Sequence, residues 1–532
     1  MHVIVIGGGG AGLLAAVSAR EAGAGVTLVS KAPVGLANCT AHSGGGFTFG
    51  SGDVGVEQHR TVTLKAGKGI SDERLVSIMT GEAASRVMGL KRYGVALRLG
   101  PRGAFAGEGL GDLIRGQGIT RPLIEYARRA GVRILDRTMA TDLVLYDGCV
   151  GAVELLDLSS GKLDVVPCSA VVVATGGGGR IYSRTDNPVR TTGDGYWLLA
   201  KAGATFRDME FVQFYPLGLD EPGFPVWMVD LGLMDYCRLT NAMGEQFLEK
   251  RFREWGISSG HQANLIARDS CTIEVARQVQ ETGKVLLYLN EIDRSKLTSA
   301  WDRSSLEGTL RMYPKGRTPA SGPIGVSPIQ HYFCGGVVTD ETCYTGIPGV
   351  YACGEVAGGV DGANRVGGNA LTNLAVFGPI AGQAAARFAR SADARRGSAD
   401  PGGPGGSRSV QAIEQWREQG RTGKGTPPAQ LKKEISRLCD SHLGPIRTAG
   451  GLQVAVGSLD SLRAELPRLA ARSAGELAGA FECEALLSTA QMVATSALRR
   501  QESRGVHYRS DFPAEDPRFA APLTRSPAEG RD

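Results

Sequence analysis

The sequence predicts an α/β fold: a Rossmann-like dinucleotide-binding domain, an α+β domain inserted into it, and a helical C-terminal domain. Three observations carry this. A short β-branched run at the N-terminus leads straight into Gly7-Gly8-Gly9-Gly10-Ala11-Gly12. Two later apolar runs of the same kind also end in glycine. Helical patterning then resumes beyond a Gly/Pro/Ser/Arg-rich stretch near residue 400.

His2–Ile6 reads as a parallel strand buried on both faces, and residues 11–22 as a helix closed by Gly23, with a second strand at 26–29. In this strand–turn–helix context, Gly7-x-Gly9-x-x-Gly12 is a dinucleotide fingerprint. Gly7 permits the tight turn, Gly9 lets the backbone approach a pyrophosphate, and Gly12 lets helix and strand pack closely. The helix N-terminus then holds the phosphate charge. The carboxylate that would bind a ribose after the second strand is absent, and Ser30-Lys31 stands there instead. That argues against a plain NAD site and leaves FAD, whose larger body can be held at many other points.

Residues 170–175, followed by Gly176 to Gly179, read as a strand returning to the same sheet, as do 349–353, followed by Gly354-Glu355. Both place glycine and polar groups at a strand's C-terminal end, where open α/β sheets bind ligands. The expected organisation is therefore a dinucleotide-binding domain over 1–216 and 336–390, an insert over 217–335 and a linker over 391–409. A helical domain over 410–512 and a fraying tail over 513–532 complete it.

Composition narrows the function. Of 532 residues, 42% are hydrophobic and 21% charged, a globular balance, and the 76 glycines are about twice the usual share. Without a triplet period, that excess serves turns and close backbone approaches to a ligand. A net charge of +5 is too mild for nucleic-acid binding at this length. The ten cysteines are scattered with no CxxC pair, which excludes the usual iron–sulfur spacings within the chain, disfavours structural zinc and fits a reducing cytoplasm. No metal site and no membrane span are expected, since no apolar run reaches about 18 residues.

With these residues in hand, the chain resembles the fumarate reductase/succinate dehydrogenase flavoprotein family, which includes L-aspartate oxidase. Thr192-Gly193-Asp194-Gly195 matches the family's TGDG motif, Gly354-Glu355 its GE segment, and His331-Tyr332 with Gly335-Gly336 its HYxxGG. Residues 361–371, DGANRVGGNAL, resemble HGANRLGGNSL, and residues 502–507 match ESRGxH. The resemblance implies FAD under a capping domain, with Gly7, Gly9, Gly12, Ser30, Lys31, Ser43, Gly44, Gly45, Asp194, Glu355, Asn369 and Leu371 at FAD-contacting positions. It also implies hydride exchange between flavin N5 and a C–C bond beside a carboxylate, with Arg268 as proton shuttle and His331 and Arg365 gripping the substrate carboxylate.

Read without the family, Arg268-Asp269 is more simply a helix-surface pair and His331 a satisfied core histidine. Departures matter too. Asn38 stands where membrane-bound members carry the flavin-linked histidine, so FAD is expected to be non-covalent. Tyr215, in Gln213-Phe214-Tyr215-Pro216-Leu217, replaces the histidine of QFHPT, while Val229 and Asp230 stand for a threonine and a glutamate. Asp230 can still relay protons to Arg268, whereas Val229 cannot donate to a carboxylate. The readings left open are a fumarate reductase or succinate dehydrogenase flavoprotein, an L-aspartate oxidase-type oxidase, and a non-catalytic electron-transfer flavoprotein. The substrate is a small carboxylate. Electrons come from a partner such as an iron–sulfur subunit, which would also set any membrane association, or from a diffusible donor or oxygen.

Overall fold

The structure, a computed structural model, describes residues 1–100, 102–107, 115–297, 299–391, 393 and 408–526. Five strands, β1 (His2–Ile6), β2 (Gly25–Val29), β3 (Arg133–Leu135), β4 (Ala170–Val173) and β5 (Val350–Ala352), form a parallel sheet in the order β5-β4-β1-β2-β3. β1 and β4 pair in register from Val3 with Ala170 to Ile6 with Val173. Covered on both faces, they read as unbroken Val/Ile/Ala rather than as alternation. The helix Gly10–Glu21 covers one face and packs on the long helix Asn369–Arg390. Their backbones nearly touch: a Cβ on Gly382 would stand 2.1 Å from the Ala15 carbonyl oxygen.

The region between β4 and β5 builds a second body. Val212–Leu219, Ile324–Phe333, Val285–Leu287 and Leu239–Asn241 form an antiparallel sheet in that order, with the helix Arg268–Thr282 packed against its first strand. A boundary at 216/217 therefore cuts a strand. Pro216, which reads as a breaker, is absorbed by a register shift between Tyr215 and Gly218.

Four helices, Arg408–Thr422, Pro428–His442, Ala449–Arg463 and Ala474–Arg499, pack at the C-terminal side, the last buried along most of its length. Of the expected linker, residues 392 and 394–407 lie outside the described residues, and 408–409 already belong to a helix. The expectation of a fraying tail needs correction. Thr524–Arg525 pairs antiparallel with Phe206–Arg207, and the Arg500 guanidinium donates to the Phe519 and Ala521 carbonyls at 2.8 and 3.2 Å. A fully buried arginine needs acceptors, and the tail supplies them. Residues 527–532 lie outside the described residues. Among the described residues no helix is long and apolar enough to cross a membrane.

Candidate active site

The C-terminal ends of β1, β2, β4 and β5 gather the glycines and polar residues expected at a dinucleotide. At Gly7, whose φ is +125°, a Cβ would stand 2.1 Å from the Ala174 carbonyl oxygen, and at Gly12 it would stand 1.9 Å from that of Gly7. These two are glycine because the backbones of β1, β4 and the first helix touch. A Cβ at Gly9 meets nothing nearer than 3.7 Å, so space remains there for a phosphate to reach the helix N-terminus. Ser30 sits under Gly8, and Ser43 donates to the Thr40 carbonyl at 2.7 Å, shaping the turn into Gly44 and Gly45.

Lys31 and Asp194 meet at 2.6 Å, joined by Glu482 of the C-terminal helix at 3.0 Å. Burial opposes the Lys31 charge, but Asp194 and Glu482 outweigh it and hold the ammonium above its ordinary range. The same pairing, with Lys432, pulls Glu482 down to about 2 against its own burial. Glu355 accepts from the Phe333 N–H at 3.0 Å, and burial pushes its carboxyl up to about 7. Asn369 opens its helix, yet its side-chain amide is committed to His59 and Thr63 at 2.9 and 3.1 Å. Leu371 is buried in the same first turn. Asn38 caps a short helix through the Ala41 N–H and donates to the Gly8 carbonyl, so its amide is a structural group.

On the second body's side, Arg268 begins the helix Arg268–Thr282, and its guanidinium lies 5.2 Å from the Tyr215 ring centre. His331 faces the same ring with centroids 6.3 Å apart. Arg268 donates to the side-chain and backbone oxygens of Asn264 at 3.2 and 3.1 Å, and the Tyr215 hydroxyl donates to the same Asn264 side-chain oxygen at 3.1 Å. Burial pushes the Arg268 guanidinium below its ordinary pKa; Tyr215 opposes this and Arg365 adds to it. His331 holds Asp186 through Nδ1 at 2.7 Å, which leaves its other ring nitrogen for a ligand. Arg365 donates to Gln213 at 3.0 Å and stacks 4.3 Å above the Tyr332 ring, while its Nε is buried with no partner among the described residues.

Asp230 is less directly connected. Its carboxylate accepts from Trp301 Nε1 and the Gly232 N–H, each at 2.7 Å, rather than from Arg268. Burial raises its pKa, and the Trp301 and Gly232 bonds pull the other way. Val229 points into the insert's apolar core. The Trp301 ring also reaches the flavin-side loop: a Cβ on Gly44 would lie 3.3 Å from it.

The family model of an FAD binding domain matches residues 2–371, and that of the fumarate reductase flavoprotein C-terminal region matches 432–524. Among relatives, one chain of the CoM/CoB fumarate reductase of Methanothermobacter marburgensis is 32% identical, covering 97% of this chain and 95% of its own. The L-aspartate oxidase of Streptomyces coelicolor is 32% identical over 97% of this chain and 89% of its own. A quinol fumarate reductase chain of E. coli superposes with a TM-score of 0.83 at 25% identity, over 97% of this chain and 93% of that one.

The chain belongs to the fumarate reductase/succinate dehydrogenase flavoprotein family.

Its cofactor is FAD, and the space at Gly9 together with the glycine-built contacts at Gly7 and Gly12 fits that group. Within this family frame the sequence reading named Arg268, His331, Arg365 and Tyr215, which the structure brings together. It missed Asn264, Asp186 and Gln213, which hold them in place, and Trp301, which binds Asp230. Only Gln213 carried a signal, as the first residue of the QFYPL segment.

Proposed function

We propose that this flavoprotein exchanges a hydride and a proton with the C–C bond of a small carboxylic acid, with fumarate/succinate the leading pair. The observation that carries this reading is the convergence of Arg268 and His331 on the Tyr215 ring, with Arg365 close enough to Arg268 to act on its charge. Two arginines and a histidine brought together suit an anionic ligand and have no evident use in a scaffold. FAD, when bound, supplies the hydride donor or acceptor. Arg365, oriented by Gln213 and left with an unpartnered Nε, offers donors to one carboxylate, and His331, aligned by Asp186, adds another. Charge building on that carboxylate during reaction is stabilised by the same groups.

Arg268 moves the proton. An exposed arginine is a poor acid, but burial and the neighbouring Arg365 destabilise its charged form. Asp230 replenishes it through an intervening group, since Trp301 and Gly232 take its direct hydrogen bonds. FAD is held without a covalent link, because Asn38 offers an amide already used as a helix cap. A partner subunit delivers electrons, a reading supported by relatives that are named as subunits.

A second reading, oxidation of L-aspartate with oxygen as acceptor, is favoured by the Streptomyces relative and by Val506-His507-Tyr508. The test is turnover of the purified holoprotein with three pairs: fumarate with reduced viologen, succinate with a dye, and L-aspartate with peroxide detection. Viologen oxidation with fumarate and no peroxide from aspartate is the expected result; the reverse pattern selects the oxidase.

A further inference from the structure

The motif at residues 502–507 lies in the C-terminal part of the chain, and neither the cofactor cradle nor the cation cluster uses it directly. Its backbone, however, ends on the substrate loop. The Val506 N–H donates to the Ala363 carbonyl at 2.9 Å, two residues before Arg365. Gly505 has φ +54°, and a Cβ there would stand 2.2 Å from the same carbonyl oxygen and 2.7 Å from its carbon. This glycine is required by a backbone-to-backbone approach and has no flexible side chain opposite that could yield.

The other face of Ala363 is fixed as well. Its N–H donates to the Gly67 carbonyl at 3.1 Å, while Arg504 donates to the adjacent Lys68 carbonyl at 2.8 Å. Arg504 is itself locked by the fully buried Glu502 through bonds of 2.8 and 2.9 Å. Val506 and Ala363 also share one small apolar cluster with Ile70, Phe211, Cys334 and Tyr332, the ring on which Arg365 stacks. Two routes, one through backbone and one through packing, thus run from this turn to the guanidinium.

We infer that the turn Arg504-Gly505-Val506 is a positioning element for Arg365, so that docking of the C-terminal segment sets the geometry of the carboxylate clamp. The inference rests on Arg365 binding a carboxylate, as proposed above. Gly505→Ala pushes the Ala363 carbonyl away, and Arg365 shifts relative to Gln213 and Tyr332. Val506→Ala keeps the backbone bond and only loosens the cluster, so it perturbs less and guards against a Gly505 variant that fails to fold.

The experiment measures the Kd of malonate, a dicarboxylate with no CH–CH bond to oxidise, by perturbation of the flavin spectrum of the holoprotein. Misplacing a charged clamp by a fraction of an ångström is expected to raise Kd by about tenfold in Gly505→Ala, and by about threefold in Val506→Ala, with FAD content unchanged. In an Arg365→Lys background the Gly505→Ala effect should largely vanish, because both changes act on one group. Leu452→Ala, in the separate apolar core of the C-terminal helices, should lower Tm and leave Kd unchanged. A Kd within about twofold of wild type in both turn variants, or full additivity with Arg365→Lys, overturns the inference. If wild type binds no malonate, the carboxylate reading itself has failed. The crystal structure of Gly505→Ala then decides: an Arg365 guanidinium displaced from Gln213 supports the positioning role, and an undisplaced one refutes it.

Discussion

Arg268 has the surroundings that a proton-transferring arginine needs. Asn264 fixes its plane, Tyr215 covers its face, and burial weakens its hold on the proton. Arg268→Lys is expected to keep FAD and lose turnover by about 10²- to 10⁴-fold in steady-state assays, since a point charge on a flexible stem puts the proton elsewhere. Glu355 carries a separate, pH-dependent signature. Burial raises its folded pKa from 4.5 to about 7, so between those values the folded state keeps a proton that the unfolded state has released. Stability from this group is therefore full below about pH 4.5 and falls as pH rises toward 7, by at most about 3 kcal/mol. Glu355→Gln should flatten that decline in denaturation experiments from about pH 4.5 to 7; an unchanged slope would place the effect in another group. His331 and Arg365 were legible because their motifs are local runs of sequence. Asp186 and Trp301 were not, because they act on partners 145 and 71 residues away, and such distances leave no spacing to read.

In the proposed reading, the strand Val212–Leu219 is what the substrate's far end meets. The Tyr215 hydroxyl accepts from the Leu231 N–H and gives its only proton to Asn264, so it has none left for a carboxylate. Val229 sits in the core behind it. A second carboxylate lacking one donor is bound less tightly by about 1–3 kcal/mol. Tyr215→His should accordingly lower the fumarate KM by about tenfold while leaving a monocarboxylate analogue unaffected; no change in either would mean that other donors serve that end. The N-terminal βαβ unit could be read because strand, glycine turn and helix are contiguous. The meander of Thr138–Tyr146, Cys149–Asp157 and Leu163–Pro167 between β3 and β4 was missed, although Asp147-Gly148 signals it. Both residues are left-handed, with φ of +50° and +77°, as a tight hairpin requires.

For the whole molecule, the C-terminal segment is a structural strap, tying a buried cluster of Arg500, Glu502, Glu210 and Asp208 to the sheet edge at Phe206–Arg207. Its Pro- and charge-rich composition reads as a loose end, because the partners that neutralise its charges come from distant parts of the chain. Ending the chain after Phe512 removes the Phe519 and Ala521 acceptors from Arg500, and the Leu523 N–H from Asp208. That should cost about 3–5 kcal/mol in chemical denaturation, as expected for buried charges left short of partners.

In the reading proposed above, this site reduces or forms a C–C double bond beside a carboxylate. The most direct measurement mixes anaerobically reduced holoprotein with one equivalent of fumarate and follows flavin absorbance and succinate together. Rapid return of the oxidised flavin spectrum with stoichiometric succinate in wild type, slowed at least about 100-fold in Arg268→Lys, is the expected result. A flavin that stays reduced with fumarate yet reoxidises at once with oxygen would contradict it.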